Sequence, residues 1–245
     1  MKTPAEKSSE QPILSILIPV YNEEKTIRKI LDKVTVLPIK NYEIIIVDDM
    51  SKDKSKKIID DFSKKFQKPG VAIKILSHTK NRGKGAGIKT GLMHAQGKYF
   101  IIQDADLEYD PADIPALLET AIKGDHRVVY GSRFLGEPQN MPKANYHANH
   151  FYNFMLRRLY DTSITDMHTC YKMVKTDILR EFNMTSEGFG YATELVSKIL
   201  QRGINIHELP ISFNGRTKKQ GKKIGIRDGL DCLYMMLKYR FSAST

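Results

Sequence analysis

The sequence has few cysteines and no long apolar run, and both absences narrow what the protein can be. Cys170 and Cys232 lie far apart and form no metal-ligand spacing, so they predict a reducing, cytosolic setting. No stretch of about 18 apolar residues is present, so no segment is expected to span a membrane by itself. The N-terminus is polar and lacks a signal-peptide core, and we predict that residues 1–11 form a disordered tail.

Internal repeats and linkers are also missing, so the 245 residues predict one compact domain. Positive charge is in excess, because 39 Lys and Arg residues against 28 Asp and Glu residues give a net charge of +11. This excess fits three kinds of partner: nucleic acid, an anionic membrane surface or phosphorylated substrates. No recognised nucleic-acid-binding motif is present, so a basic nucleic-acid-binding module is the weakest of the three interpretations.

Short apolar strands alternate with amphipathic helices through the first half of the chain. The predicted strands are residues 13–19, 42–47, 71–76 and 99–103. One predicted helix covers residues 25–34; another begins after Ser51, a fair N-cap, and carries an apolar stripe that reaches Phe66. This alternation predicts an α/β fold with a mostly parallel central sheet, flanked by helices.

Polar residues follow each of the four predicted strands at its carboxyl end. In mostly parallel sheets, ligands bind outside the carboxyl ends of the strands. We therefore expect a binding site at this rim. Its members are Tyr21 to Glu23, Asp48 and Asp49, the glycine-rich turn 81–87, and Asp104 to Glu108.

The acidic residues after the fourth strand are spaced in steps of two, at Asp104, Asp106 and Glu108. In an extended chain alternate side chains point the same way, so the three carboxylates are expected to converge. Converging negative charges need a cation among them. Oxygen ligands suit a hard divalent ion, Mg²⁺ or Mn²⁺, that also binds substrate phosphates.

Other residues are suited to binding phosphate groups. The turn at Gly83 lets the backbone approach a ligand, and Lys84 adds a positive charge. The spacing is not that of a Walker A loop, and the turn follows the third strand, which argues against a dinucleotide fold. Further candidate cations are Arg133, Arg216, Lys222 and Lys223.

The second half of the chain is less regular. We predict a strand at 127–131 with Arg133 at its carboxyl end, an extended stretch through 165–174, a helix at 193–202 and an edge element at 205–213. Residues 214–225 are basic and rich in glycine, which is typical of a mobile loop. An amphipathic helix is expected from about Arg227 to Phe241. Its predicted apolar side consists of Ile226, Leu230, Leu233, Leu237 and Phe241.

Five short motifs follow one another along the chain, at residues 19–24, 47–51, 81–85, 103–107 and 131–133. In this order they resemble the motifs of family 2 inverting glycosyltransferases, and more narrowly those of the dolichyl- or polyprenyl-phosphate sugar synthases. The resemblance extends from about Ile13 to the C-terminus. It implies a GT-A nucleotide-diphospho-sugar transferase fold, with a catalytic domain at 12–225 and a C-terminal amphipathic helix and tail at 226–245.

The resemblance also implies roles for individual residues. Asp104, Asp106, Arg133 and Arg216 would be catalytic, and Asp104, Asp106 and Glu108 would hold the metal. Arg133, Arg216, Lys222 and Lys223 would bind donor and acceptor phosphates. The residues that would bind the nucleotide-sugar are Pro19, Tyr21, Glu23, Val47, Asp49, Lys84, Asp104, Ala105 and Asp106.

These roles predict a metal-dependent transfer of a hexose from a nucleotide-sugar, of the GDP-mannose or UDP-glucose type, to a polyprenyl or dolichyl phosphate. A lipid phosphate is already a dianionic nucleophile, whereas a hydroxyl acceptor needs a general base. With a sugar or protein hydroxyl as acceptor, Asp166 or Glu194 would be the candidate base. The C-terminal helix would lie on the cytoplasmic membrane face or pack on its own domain. The sequence carries no signal of an oligomeric state.

Overall fold

A computed structural model describes residues 11–186, 188, 190–216 and 226–242. The predicted tail, apart from Gln11, lies outside these residues. In the described part the strands form one sheet in the order β3-β2-β1-β4-β6-β5-β7. They are β1 (Leu14–Val20), β2 (Tyr42–Asp48), β3 (Val71–Ser77), β4 (Tyr99–Ile102), β5 (Val128–Ser132), β6 (Lys172–Lys175) and β7 (His207–Pro210).

The prediction of a mostly parallel sheet is confirmed. The pairs β1–β2, β2–β3, β1–β4 and β5–β7 are parallel. β6 is antiparallel to both β4 and β5, so it is the one reversed strand of the sheet in the described part of the chain. The carboxyl ends of the other six strands therefore meet at the same edge.

Helices cover both faces of the sheet, which explains why its central strands are apolar throughout. Alternate residues of β2 point to opposite faces: Ile44 belongs to the core cluster that includes α1 and α2, whereas Ile45 belongs to the cluster that includes α3 and α7. The helices in the described part are α1 (Ile27–Val34), α2 (Ser55–Lys65), α3 (Lys84–His94), α4 (Ile114–Lys123), α5 (Lys143–Tyr160), α6 (Thr176–Glu181), α7 (Tyr191–Gln201) and α8 (Ile226–Phe241).

The prediction that Ser51 caps the second helix is wrong. α2 begins four residues later, at Ser55, and its N-cap position is Lys54, whose side chain makes no capping bond. The hydroxyl of Ser51 instead accepts a hydrogen bond from the Asn22 amide at 3.0 Å. Ser55 Oγ accepts another from the Glu23 amide at 2.8 Å. Both serines thus hold the loop that follows β1.

The extended stretch predicted for 165–174 is also mostly wrong, because strand structure is confined to Lys172–Lys175. The Glu208 carboxylate accepts hydrogen bonds from the amides of Thr165 (2.7 Å) and Asp166 (3.1 Å). The amides of Thr165 and Asp166 are therefore bonded to a side chain and not to a neighbouring strand.

The C-terminal helix forms as predicted, but its buried side differs from the predicted one. Cys232, Met236 and Tyr239 are buried, whereas Leu237 and Phe241 are 44% and 79% exposed. The side chains of Ile226 and Leu230 are outside the described part of the structure. No helix within the described residues has the length and apolar character needed to cross a membrane.

Candidate active site

The structure brings the polar ends of the strands together, as the parallel sheet predicts. Lys84 is the first residue of α3, directly after the glycine-rich turn. Its ammonium group lies 2.5 Å from the Asp104 carboxylate, which follows β4. Burial opposes the charge on both groups, but their mutual attraction raises the pKa of Lys84 and lowers that of Asp104. The predicted phosphate-binding lysine is therefore paired with the predicted metal ligand.

The chain from Asp104 to Glu108 is not extended, so the reasoning that predicted convergent carboxylates is wrong. β4 ends at Ile102, and the following residues form a turn in which Leu107 has a left-handed φ of 63°. Within this turn the Glu108 amide donates to Asp106 Oδ1 at 3.1 Å. Two of the three carboxylates still come near one point, because both face Arg216.

Arg216 reaches this point from the segment after β7. Its guanidinium lies 2.6 Å from Asp106, 3.3 Å from Glu23 and 4.0 Å from Glu108. Its backbone amide also donates to the Glu108 carboxylate at 2.6 Å. One cation thus connects acidic groups that follow β1 and β4.

The contact with Arg216 does not fully compensate the negative charge of the Asp106 carboxylate. Burial, together with the neighbouring charge of Asp104, raises its pKa to about 7. A carboxylate with a raised pKa in a cleft is typical of a functional site.

The oxygen donors present fit a divalent cation, because Asp104 and Asp106 are adjacent carboxylates whose charge is only partly balanced. In the described residues, no group of three His, Cys, Asp or Glu side chains is arranged to hold a metal ion. The carboxylates of Asp104 and Asp106 instead form ion pairs with Lys84 and Arg216. The role of Glu108 as a third ligand stays a prediction.

Asp49 anchors the glycine-rich turn. Its carboxylate accepts hydrogen bonds from the amides of Arg82 (2.9 Å) and Gly83 (2.8 Å), and His78 Nδ1 lies 2.6 Å from the same carboxylate. These two amides, which we expected to face a ligand, are used within the protein.

Two of the other residues predicted to bind the nucleotide-sugar lie beside the start of α3. Pro19 and Val47 flank Gly87, where an added Cβ would lie 3.6 Å from Pro19 and 3.9 Å from Val47. Tyr21 is half-buried beyond β1, and Ala105 is buried between the two aspartates.

Arg133 is buried in an ion pair, which sequence reasoning did not predict. Two of its nitrogen atoms lie 2.7 Å from the two oxygens of Asp166. The guanidinium also stacks 5.2 Å from the Phe213 ring. Burial opposes the charge on Asp166, but Arg133 holds the pKa of Asp166 below its ordinary value.

Two of the predicted phosphate-binding residues, Lys222 and Lys223, lie outside the described residues. His78 was missed, although it directly follows β3 at the same rim as the other polar residues. The rule that located Asp49 and Asp104 would have located His78 too.

A sequence model of glycosyl transferase family 2 matches residues 15–182. The chain belongs to this family. The matched region begins in β1 and ends just after α6, so it includes the first four strands and the turn that carries Asp104 and Asp106.

Three curated relatives are similar to most of the chain. A dolichol-phosphate mannosyltransferase of Pyrococcus furiosus is 27% identical over 92% of this chain and 64% of its own length. One of Saccharomyces cerevisiae is 27% identical over 94% of this chain and 89% of its own. The low-salt glycan biosynthesis hexosyltransferase Agl6 of Haloferax volcanii is 26% identical over 84% of this chain and 48% of its own length. The chain thus spans less than two thirds of the Pyrococcus protein and about half of Agl6.

Solved structures show the same fold. Glucosyl-3-phosphoglycerate synthase from Mycobacterium tuberculosis, crystallised with Mn²⁺, UDP and phosphoglyceric acid, superposes with a TM-score of 0.72. The two chains are 15% identical, and the match covers 94% of this chain and 79% of the other. This likeness, together with the family match, confirms a GT-A fold.

Proposed function

We propose that this family 2 enzyme is an inverting, metal-dependent glycosyltransferase. It moves a hexose from a nucleotide-sugar, of the GDP-mannose or UDP-glucose type, to a polyprenyl or dolichyl phosphate. The observation that carries the proposal is the meeting of two carboxylates and two cations at one rim, in the Lys84–Asp104 and Arg216–Asp106 pairs. Two relatives named dolichol-phosphate mannosyltransferases support the acceptor class.

Asp104 and Asp106 are the residues that would hold the divalent ion. When bound there, Mg²⁺ or Mn²⁺ would stabilise the negative charge that develops on the leaving diphosphate. Structural neighbours crystallised with Mn²⁺ or Mg²⁺ and UDP support this assignment. Lys84 and Arg216 then become available to the phosphate groups of donor and acceptor, and Lys222 and Lys223 would add charge to the same segment of chain.

A phosphate acceptor also agrees with the state of the two candidate bases. Asp166 is fully buried and paired with Arg133. Burial opposes the charge on Glu194, but hydrogen bonds from the amides of Ser186 and Thr185 lower its pKa to about 2. Neither carboxylate is suited to take a proton from a hydroxyl near neutral pH. A lipid phosphate needs no such base, because its dianion attacks the anomeric carbon directly.

The shared outer face of α5 and α8 supports peripheral binding to a membrane, where a polyprenyl chain would lie. The two helices run side by side, with Tyr160 Oη donating to the Met236 carbonyl at 3.0 Å. Within each helix the exposed apolar residues are three or four positions apart, so each helix carries them along one side. Arg158, Lys238 and Arg240 are exposed among them. The apolar residues are Phe151, Phe154, Tyr234, Leu237 and Phe241, which are between 44% and 79% exposed.

Transfer assays would test the enzymatic proposal. Purified protein with Mn²⁺ and a polyprenyl phosphate is incubated with radiolabelled GDP-mannose or UDP-glucose, and the lipid fraction is counted. We expect label in the lipid with one donor and none after EDTA treatment. Label that passes only to a soluble sugar or a protein hydroxyl would overturn the acceptor assignment.

Vesicle flotation would test the membrane face. We expect the wild type to float with vesicles that contain phosphatidylserine, and Phe154→Ser with Phe241→Ser to reduce the floating fraction severalfold. Val36→Ser and Met93→Ser are matched controls, because both side chains are exposed apolar groups elsewhere, at 72% and 67%. Equal loss with the control pair would contradict the assigned face.

A further inference from the structure

His78 connects two parts of the molecule at the end of β3. Its Nδ1 lies 2.6 Å from Asp49 Oδ1, and its Nε2 lies 2.9 Å from the Thr90 hydroxyl on α3. The carboxylate of Asp49 can only accept, so His78 Nδ1 is the donor of the first bond. Only 7% of the His78 side chain and 8% of the Asp49 side chain are exposed. Both ring nitrogens are therefore engaged inside the protein.

Asp49 transmits this contact to the glycine-rich turn. Its two oxygens accept from the consecutive amides of Arg82 and Gly83. Gly83 has a φ of 90°, a conformation that side chains rarely adopt, so the turn has one specific shape at this point. A carboxylate with three donors fixed around it holds that shape against thermal motion.

In this conformation the turn places Lys84 beside the Asp104 carboxylate. Lys84 directly follows Gly83 and lies 2.5 Å from Asp104. The middle of α3 is held separately, because Gly91 packs so closely on β1 that an added Cβ would lie 2.3 Å from Leu17. With the middle of α3 fixed on the sheet, the position of Lys84 depends on the turn at its start.

We propose that His78 is a positioning residue of the donor site. It holds Asp49, and Asp49 holds the turn that places Lys84 beside Asp104. This inference rests on the proposed function, since the site it organises is the one assigned to the nucleotide-sugar. It gives Asp49 a role inside the protein in addition to the predicted contact with the nucleotide.

Two substitutions of the same residue separate the two contacts. His78→Asn keeps an amide nitrogen near the position of Nδ1, and so keeps a donor for Asp49. His78→Gln places its amide near Nε2, and so keeps the Thr90 contact but loses Asp49. We expect His78→Gln to weaken binding of GDP or UDP with Mn²⁺ by about tenfold and His78→Asn by less than about threefold, as measured by calorimetry.

Both variants lose one hydrogen bond and part of the ring packing, so their melting temperatures should fall by similar amounts. A merely structural histidine would make nucleotide affinity follow stability, and the two variants would then bind alike. His94→Gln is the matched control, because His94 is an exposed histidine at the end of α3. Equal affinities for His78→Gln and His78→Asn would overturn the proposal.

A second measurement does not depend on nucleotide binding. Trypsin cleaves after Arg82 and Lys84, on either side of Gly83, and a turn released from Asp49 should be cut faster. We expect His78→Gln to be cleaved there several times faster than the wild type or His78→Asn. Unchanged cleavage would contradict the proposal. If His78→Gln is cleaved faster as expected but neither the wild type nor any variant binds the nucleotide, the proposed function is contradicted. The positioning role of His78 is then still supported.

Discussion

Two aspartate–arginine pairs lie in different surroundings, one at the rim and one in the interior. In the interior pair, 8% of the Arg133 side chain and none of the Asp166 side chain is exposed. In the rim pair, 23% of Arg216 and 13% of Asp106 are exposed. The interior pair is joined by two side-chain bonds of 2.7 Å, and the Arg133 amide adds a third at 3.0 Å. Arg216 instead divides its guanidinium among three acidic residues.

We expect the same two residue types to serve stability in the interior and ligand exchange at the rim. Removing one partner of a buried pair leaves a charge without compensation, whereas water compensates a charge at the rim. Arg216 directly precedes residues 217–225 in the sequence, which include the predicted phosphate-binding lysines. We therefore expect the interior pair to be permanent and the rim pair to separate when cation and donor bind.

The largest effect is expected from Asp166→Asn, because it leaves Arg133 buried without its counter-ion. The free energy of unfolding should fall by about 3–5 kcal/mol, measured by urea denaturation. Asp125→Asn is the control, since Asp125 also pairs with a basic residue, Lys175, but is exposed; its stability should barely change. Unchanged stability together with lost transfer would mean that Asp166 acts as a base.

The next effect concerns the rim carboxylates. Asp106→Asn should reduce hexose transfer by about 10²- to 10³-fold, because it removes charge that holds the cation near the leaving group. The melting temperature should not fall, since this carboxylate is buried without full compensation. Asp110→Asn, at an exposed aspartate of the same turn region that pairs with Lys33, should leave transfer nearly unchanged. Equal activity in both variants would remove Asp106 from the site.

The contrast between the pairs also marks the limit of prediction from sequence. The rim itself was predictable, because parallel strands bring their carboxyl ends to one edge whatever the tertiary details. The route of the chain through it was not: a single left-handed residue, Leu107, turns the acidic segment away from the extended form that its spacing suggested. Nothing in the spacing of residues 104–108 reveals that conformation.

Long-range pairing was the second limit. Arg216 and Asp106 are 110 residues apart in the chain, and Arg133 and Asp166 are 33 apart. Motif similarity identified Arg133 and Arg216 as cations of one kind, but only the packing of β5, β6 and β7 decides which of them is buried. The apolar side of α8 was misjudged for the same reason, since its position against α5 and α7 selects Met236 and Tyr239 for burial.

Replacing Arg216 tests whether this guanidinium competes with a divalent ion for the carboxylates of the rim pair. In Arg216→Gln the carboxylates of Asp106, Glu23 and Glu108 lose their shared positive charge, so Mn²⁺ should bind about tenfold more tightly in the absence of donor. Transfer should fall nonetheless, because Arg216 is assigned to the phosphate groups. Calorimetric titration with Mn²⁺ measures the first effect. Arg202→Gln, at an exposed pair with Glu181, is the control; weaker Mn²⁺ binding in Arg216→Gln would contradict competition.

The smallest effect is expected from pH. Burial and Asp104 raise the pKa of Asp106 to about 7, so this carboxyl group is largely ionised at pH 8 and half protonated at pH 7. Mn²⁺ binds the ionised form, so its affinity should fall about twofold from pH 8 to pH 7 and more steeply below. The sign is opposite for the metal-free fold: the raised pKa favours the protonated native state, so stability is lost as pH rises from about 4, the ordinary pKa of an aspartate, to about 7. In Asp106→Asn both trends should flatten, and persistence of either would assign the titration to another group.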